Sequence, residues 1–176
     1  ARDVHEDMKR SPEKYLAGMP PDVRALHEGR YADYAELLER KGRAGPLPLN
    51  EHVGLCEAYW RLKRYDQLER CLPGLEGRHE RLPVGGTIDG SRTAALFRAD
   101  MYLDFGMYRK AIDHASAALA SAPDDLEKLA PLYTLVLAHV FLKEHGKAHE
   151  YLKQMQGNPA GLAGIPIDEV GLARVH

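Results

Sequence analysis

The chain has 176 residues, with 24 Lys+Arg against 26 Asp+Glu and a formal net charge of −2, a balance that excludes the strongly basic footprint of a dedicated nucleic-acid binder. With 44% hydrophobic and 28% charged residues, it carries enough apolar material for a core and too much for a disordered tail. Its longest apolar run, around Leu135 to Val140 and broken by His139, falls far short of the roughly 20 residues a membrane span needs.

In chain order, Ser11-Pro12-Glu13 reads as the start of a short helix, with serine as cap and proline in the first turn, stopped by Pro20 and Pro21. GRYADYAELLER (Gly29 to Arg40) reads as a partial helical unit, and Lys41 to Pro48 as a linker. EHVGLCEAYWRLKRYDQLERCL (Glu51 to Leu72) predicts a helix, a short basic turn around Lys63 and Arg64, and a second helix with Tyr65, Leu68 and Leu72 on one face. The two cysteines, Cys56 and Cys71, are too few for a disulfide scaffold, so reduced thiols are expected and a cytoplasmic setting is favoured, with a secreted or periplasmic one as the alternative. A hairpin turning at Lys63 and Arg64 nevertheless places them equally far from the turn, where they could face each other.

Further on, the glycines and Pro83 of Glu76 to Ser91 predict a surface loop. Thr93 to Phe105 reads as a helix and Gly106 as the turn after it. Tyr108, Ala111, Ile112, Ala115, Leu119 and Ala122 then form one apolar stripe. Pro123 ends that helix, and Asp124-Asp125 sit at the start of the next, where the helix dipole favours negative charge. A further helix runs through Leu129, Leu132, Leu135, Val136 and Ala138, and its partner through Ala148, Leu152 and Met155. VGLARVH (Val170 to His176) repeats the pattern of VGLCEAY (Val53 to Tyr59).

Aligned on these patterns, repeat starts fall near Leu49, Arg92, Leu129 and Pro166, at intervals of 43, 37 and 37 residues. Self-similarity at such a period, each unit two helices, predicts an all-α solenoid of antiparallel helix-turn-helix repeats. The expected organisation is an N-terminal region, residues 1–48, with helices and a partial repeat in which Tyr31 and Leu38 echo Tyr108 and Ala115. Repeats over 49–91, 92–128, 129–165 and a truncated 166–176 follow it. Gly106, Tyr108, Ala111, Ile112, Ala115, Ala118, Leu119 and Pro123 resemble the repeat pattern of the tetratricopeptide repeat family. The flanking repeats are degenerate: Lys63 stands where the turn glycine would be, Leu68 replaces the small alanine, and Gly146 is displaced.

That resemblance implies a right-handed solenoid whose first helices line a concave groove for a protein or peptide segment. Carried over position by position, the groove-facing residues are Asn50, Val53, Glu57, Trp60 and Arg61, then Thr93, Leu96, Asp100, Leu103 and Asp104, then Ala130, Tyr133, Leu137, Val140 and Phe141. Asn50, Glu57, Trp60, Arg61, Asp100, Asp104, Tyr133 and Phe141 are the expected partner-binding set. Its acidic and aromatic character favours a segment with basic and apolar residues. The pattern that ends within a helix at His176 leads to the alternative expectation of a sensor or recruiting part of a larger protein with a downstream domain.

Catalytic motifs are absent from the sequence. After His27-Glu28, His79-Glu80 and His149-Glu150 the position for a second histidine holds Tyr31, Pro83 and Lys153, so no zincin motif forms. His145 and His149, four residues apart, are weak metal candidates with two ligands only. Gly85 to Gly90 lacks the Gly-Lys-[Ser/Thr] ending of a phosphate loop. Neither a nucleophile elbow nor a Cys-x-x-Cys pair occurs. A non-enzymatic binding role without cofactor is therefore expected, with His139, His145 and His149 the titratable groups an enzyme reading would have to use.

Overall fold

The computed structural model describes residues 17–83 and 86–160. Among them are eight α-helices: α1 (Pro21–His27), α2 (Tyr31–Ala44), α3 (Leu49–Arg61), α4 (Tyr65–Cys71), α5 (Gly90–Asp104), α6 (Tyr108–Ala120), α7 (Asp125–Phe141) and α8 (His145–Gln156). A 3-10 turn, Leu72–Gly74, continues α4, and two short strands, β1 (His79–Arg81) and β2 (Thr87–Asp89), pair into a hairpin. The fold is all-α in its architecture, with consecutive helices packed on one another from α1 to α4 and from α5 to α8. No described helix is long and apolar enough to cross a membrane. The expected helix at Ser11 and the expected repeat over 166–176 lie outside the described residues.

The chain divides into two compact units. The first holds α1 to α4 and the inner part of the β-hairpin, and the second holds α5 to α8.

One turn closes all four helix pairs. The second residue after each first helix adopts a left-handed conformation: Gly29 at φ +69°, Lys63 at +57°, Gly106 at +71° and Lys143 at +59°. The amide that follows donates back to a carbonyl five residues earlier, Arg30 to Ala25, Arg64 to Tyr59, Met107 to Tyr102 and Glu144 to His139, at 2.8–2.9 Å. These paired bonds satisfy the open carbonyls of a helix end and reverse the chain within two residues. Glycine pays no Cβ penalty there, whereas lysine costs about 1 kcal/mol. Lys63 and Lys143 thus hold in the structure the places of Gly29 and Gly106.

The second helices open at Tyr31, Tyr65, Tyr108 and His145, that is 34, 43 and 37 residues apart. Three and seven residues after each opening the side chain is buried: Tyr34 and Leu38, Leu68 and Leu72, Ala111 and Ala115, Ala148 and Leu152. In the second unit Ala99, Ala115 and Leu135 form a fully buried cluster with Ile112, Leu119 and Tyr151 packed around it. Alanine at 111, 115 and 118 lets α5 and α7 approach α6 closely. Leucine at Ala115 would overpack this seam at a cost of about 1–3 kcal/mol.

Several local expectations are revised. The loop predicted over Glu76 to Ser91 contains the β-hairpin, and α5 begins at Gly90 rather than Thr93 because Asp89 caps it, accepting the Arg92 amide proton at 3.1 Å. The linker predicted at Lys41 is helical through Ala44, and Leu47 within it is buried. Its apolar side chain folds back to lie 3.6 Å from where a Cβ on Gly42 would stand, which anchors the segment.

Candidate functional site

The eight expected partner-binding residues divide four and four between the units. In the second unit Asp104, Tyr133 and Phe141 are exposed, Tyr133 by 49% and Phe141 by 53%. Asp100 is half-buried and engaged: its carboxylate accepts the Thr134 hydroxyl proton at 3.0 Å, joining α5 to α7 beside Tyr133. Phe141 stacks on Tyr108 with ring centroids 5.1 Å apart.

α7 carries two apolar stripes. Leu132, Leu135 and Ala138 face inward and are buried. Leu126, Ala130, Tyr133, Leu137 and Phe141 recur at three- and four-residue steps on another side, where Leu126 is 66% exposed. A helix that has already buried one face and shows a second apolar stripe to solvent is the surface pattern of an interaction site.

In the first unit Asn50 is exposed, and Glu57 bonds the neighbouring Arg61 at 3.2 Å. Tyr59 is buried and Trp60 half-buried. Trp60 is engaged by its own chain: the Arg61 guanidinium lies 5.1 Å and the Lys63 ammonium 5.0 Å from its ring. Arg61 also lies 5.8 Å from the Tyr31 ring, and Lys63 5.9 Å from Tyr65. These cation–π contacts join the turn lysine to Tyr65, which opens α4, and Arg61 to Tyr31, which opens α2.

The thiols expected to be reduced are a disulfide. Cys56 of α3 and Cys71 of α4 are bonded, their Cα atoms 5.8 Å apart. The turn at Lys63 sets the two helices antiparallel and the cysteines at matching heights, which decides the pairing. Beside them, the His52 ring lies 3.0 Å from the Cys71 carbonyl oxygen through Nε2. A Cβ on Gly74 would stand 2.2 Å from His52 Cε1, so the ring is seated where residue 74 has no side chain.

The chain matches no protein-family model, no curated protein and no solved structure.

His52 and Cys71 also line a cleft of about 630 Å³ in the first unit, with Leu38, Glu39, Tyr59 and Arg70 among its walls. Tyr59 donates its hydroxyl proton to Glu39 at 2.7 Å, and burial together with that carboxylate pushes the phenol well above its ordinary value. Tyr34 is raised to about 12, by burial first and then by the charges of Asp22, Glu51 and Glu57. Both phenols therefore stay protonated at neutral pH, as donors rather than bases.

The histidines of the second unit have separate settings. His139 is buried, Nδ1 2.6 Å from the Glu144 carboxylate, with its ring stacked on Tyr151 at 5.5 Å. Glu144 also pairs with Arg109, and Arg109 and His139 hold its carboxyl below the usual range. His145 and His149 are both exposed. Among the described residues the cluster of three metal-ligating side chains is His52, Cys56 and Cys71, and neither His145 nor His149 belongs to such a group. Sequence reasoning treated the cysteines as a pair and passed over His52. The four-residue spacing of His52 and Cys56, with Cys71 opposite, was the signal that marks it.

Proposed function

We propose that this chain is a non-catalytic protein-interaction module, a right-handed tetratricopeptide-like α-solenoid, whose second unit binds a partner segment rich in basic and apolar residues along α5 and α7. The observation that carries this reading is the outward apolar stripe of α7, Leu126, Ala130, Tyr133, Leu137 and Phe141, on a helix whose other face is already buried. Asp104 is exposed on α5 and Asp100 is tied to Thr134 beside Tyr133, so the stripe has acidic groups on its neighbouring helix. Four identical turns and the buried small or apolar positions after each support the repeat reading.

Trp60, one of the expected partner-binding residues, has its ring occupied by Arg61 and Lys63, which leaves the anchoring role to Tyr133. Exposed aromatic residues of this kind cost about 2 kcal/mol or more when truncated at an interface. The test is a peptide array probed with the intact chain. Peptides combining Lys or Arg with Leu, Ile or Phe are retained, Tyr133→Ala weakens them by ~30-fold, and Asp104→Lys reduces the preference for basic peptides, most clearly at low salt. A preference for acidic peptides, or retention unchanged in both variants, overturns the reading.

A further inference from the structure

The donor atoms of His52, Cys56 and Cys71 all lie within 4.8 Å of one another. The geometry points to a second state of this cluster: once the Cys56–Cys71 bond is reduced, these three side chains form a Cys2His site for Zn²⁺, with the fourth coordination position open to the adjacent cleft.

Four observations converge on it. His52 and Cys56 are one helical turn apart on α3, so they share a face, and Cys71 meets them from α4. A zinc tetrahedron with bonds of about 2.0–2.3 Å has edges of about 3.5–3.8 Å, which χ1 rotations bring within reach of a 4.8 Å cluster. Next, a carbonyl oxygen can only accept, so the contact between His52 Nε2 and the Cys71 carbonyl places the ring proton on Nε2 and the lone pair on Nδ1. Holding a ligating histidine by its other nitrogen on a backbone carbonyl is the usual support of a metal-bound imidazole.

Third, residue 74 has no side chain where the ring sits, which seats His52 in one orientation against the cysteine-bearing helix. Fourth, the donor set is two buried thiols and an imidazole, with no carboxylate in the group. Sulfur and nitrogen donors of this kind select zinc over magnesium or calcium. His52 and Cys71 both line the cleft, so the remaining position faces solvent.

The chemistry balances with a phosphine as reductant. The S–S bond breaks as phosphorus gives up two electrons, water supplies the oxygen of the phosphine oxide, and its two protons end on the two sulfurs. Zn²⁺ then displaces both protons to solvent and forms two Zn–S bonds and one Zn–N bond. A dithiol can supply the same two electrons by closing to its own disulfide. Disulfide and metal site exclude each other, so the cluster holds zinc only under reducing conditions.

The test titrates the full chain anaerobically with Co²⁺, after phosphine reduction and in the oxidised form, and then displaces the cobalt with Zn²⁺. The reduced chain is expected to take up about one Co²⁺, with a thiolate charge-transfer band and the intense visible bands of a tetrahedral ion, all lost on adding Zn²⁺. The oxidised chain shows neither. Cys56→Ser or Cys71→Ser halves the charge-transfer intensity per ion and weakens binding by at least ~100-fold, while His52→Gln keeps both thiolates and weakens it by at least ~10-fold. Circular dichroism confirms helix content in each variant. No tetrahedral spectrum from the reduced chain, binding indifferent to His52→Gln, or binding lost in His145→Ala or His149→Ala would each overturn the assignment.

Discussion

The two units build the same helix pair from different materials. In the first, α4 is only 7 residues long, below the length at which a helix holds itself in water. It is secured by leucines at 68, 72 and 75, each at most 1% exposed, and by a covalent bond from Cys71 to α3. In the second, α5 to α8 run for 12 to 17 residues. There alanines on α6 allow close packing, and charge holds the ends. Arg92, 7% exposed, reaches the Ser121 carbonyl at 3.3 Å, Asp89 at 3.6 Å and Glu127 at 3.4 Å, tying α5, the end of α6 and the start of α7. Where a helix is too short to bury enough surface, a cross-link limits the unfolded chain instead, while long helices are held through contact area.

The sharpest way to break this comparison is to remove the cross-link. Cys71→Ser, or reduction in metal-free buffer, is expected to destabilise the first unit by about 3 kcal/mol, the loop-entropy value for a closure of this size, given a separation of 15 residues. Hydrogen exchange would accelerate in α3 and α4 and stay unchanged in α5 to α8. Equal acceleration throughout would show that the division into units has no energetic meaning.

The complementary change is Arg92→Met, which removes the charge-assisted bonds and leaves its carboxylate partners half-exposed to water. An expected loss of about 2 kcal/mol, read by denaturant unfolding, should be confined to α5 to α8. A loss shared by α1 to α4 would contradict it.

Acid sharpens the contrast further. Arg109 and then His139 hold Glu144 below its usual 4.5, so its folded state binds protons less readily than its unfolded state. That stabilisation is present above pH 4.5 and is lost as pH falls through the folded value. His114 is lowered from 6.5, by burial first and then by Arg98, so its contribution declines as pH falls below 6.5. Thermal melts of Glu144→Gln and the parent chain should therefore converge toward pH 3, and His114→Gln should flatten the dependence between pH 7 and 5. Parallel melting curves at every pH would refute the Glu144 assignment.

The smallest effect distinguishes the two lysine turns. Lys143→Gly should stabilise the second unit by about 1 kcal/mol by relieving the left-handed backbone. Lys63→Gly should gain less, because it gives up the contacts with Trp60 and Tyr65. Equal gains at both turns would remove any energetic role for those contacts.

Much of the helical framework was legible because its cause is local. Apolar residues at three- and four-residue spacing around Tyr108, Leu119, Leu132 and Leu152 define the helices, and Gly106, Pro123 and Asp124 punctuate them. The turn expected at Lys63 is where the structure has it, but the one at Lys143 was not read, since a lysine in the left-handed region gives no compositional sign. For the candidate site, the outward residues Tyr133 and Phe141 were readable as positions on a helix face. The occupation of Trp60 by Arg61 and Lys63, and of Asp100 by Thr134, was not.

By itself, then, the sequence determined α3 to α8, their order and their pairing, because hydrogen bonding and burial along one helix depend on residues a few positions apart, whereas α1, which opens at the Pro21 expected to stop a helix, was not read from it. Only the tertiary structure decided that Cys56 and Cys71 bond, that His52 joins them over Gly74, and that Arg92 is buried among carboxylates. Those outcomes depend on the height and rotation of one helix against another, which side-chain volumes at the packed seam set; spacing along the chain makes Cys56, Cys71 and His52 candidates without deciding them.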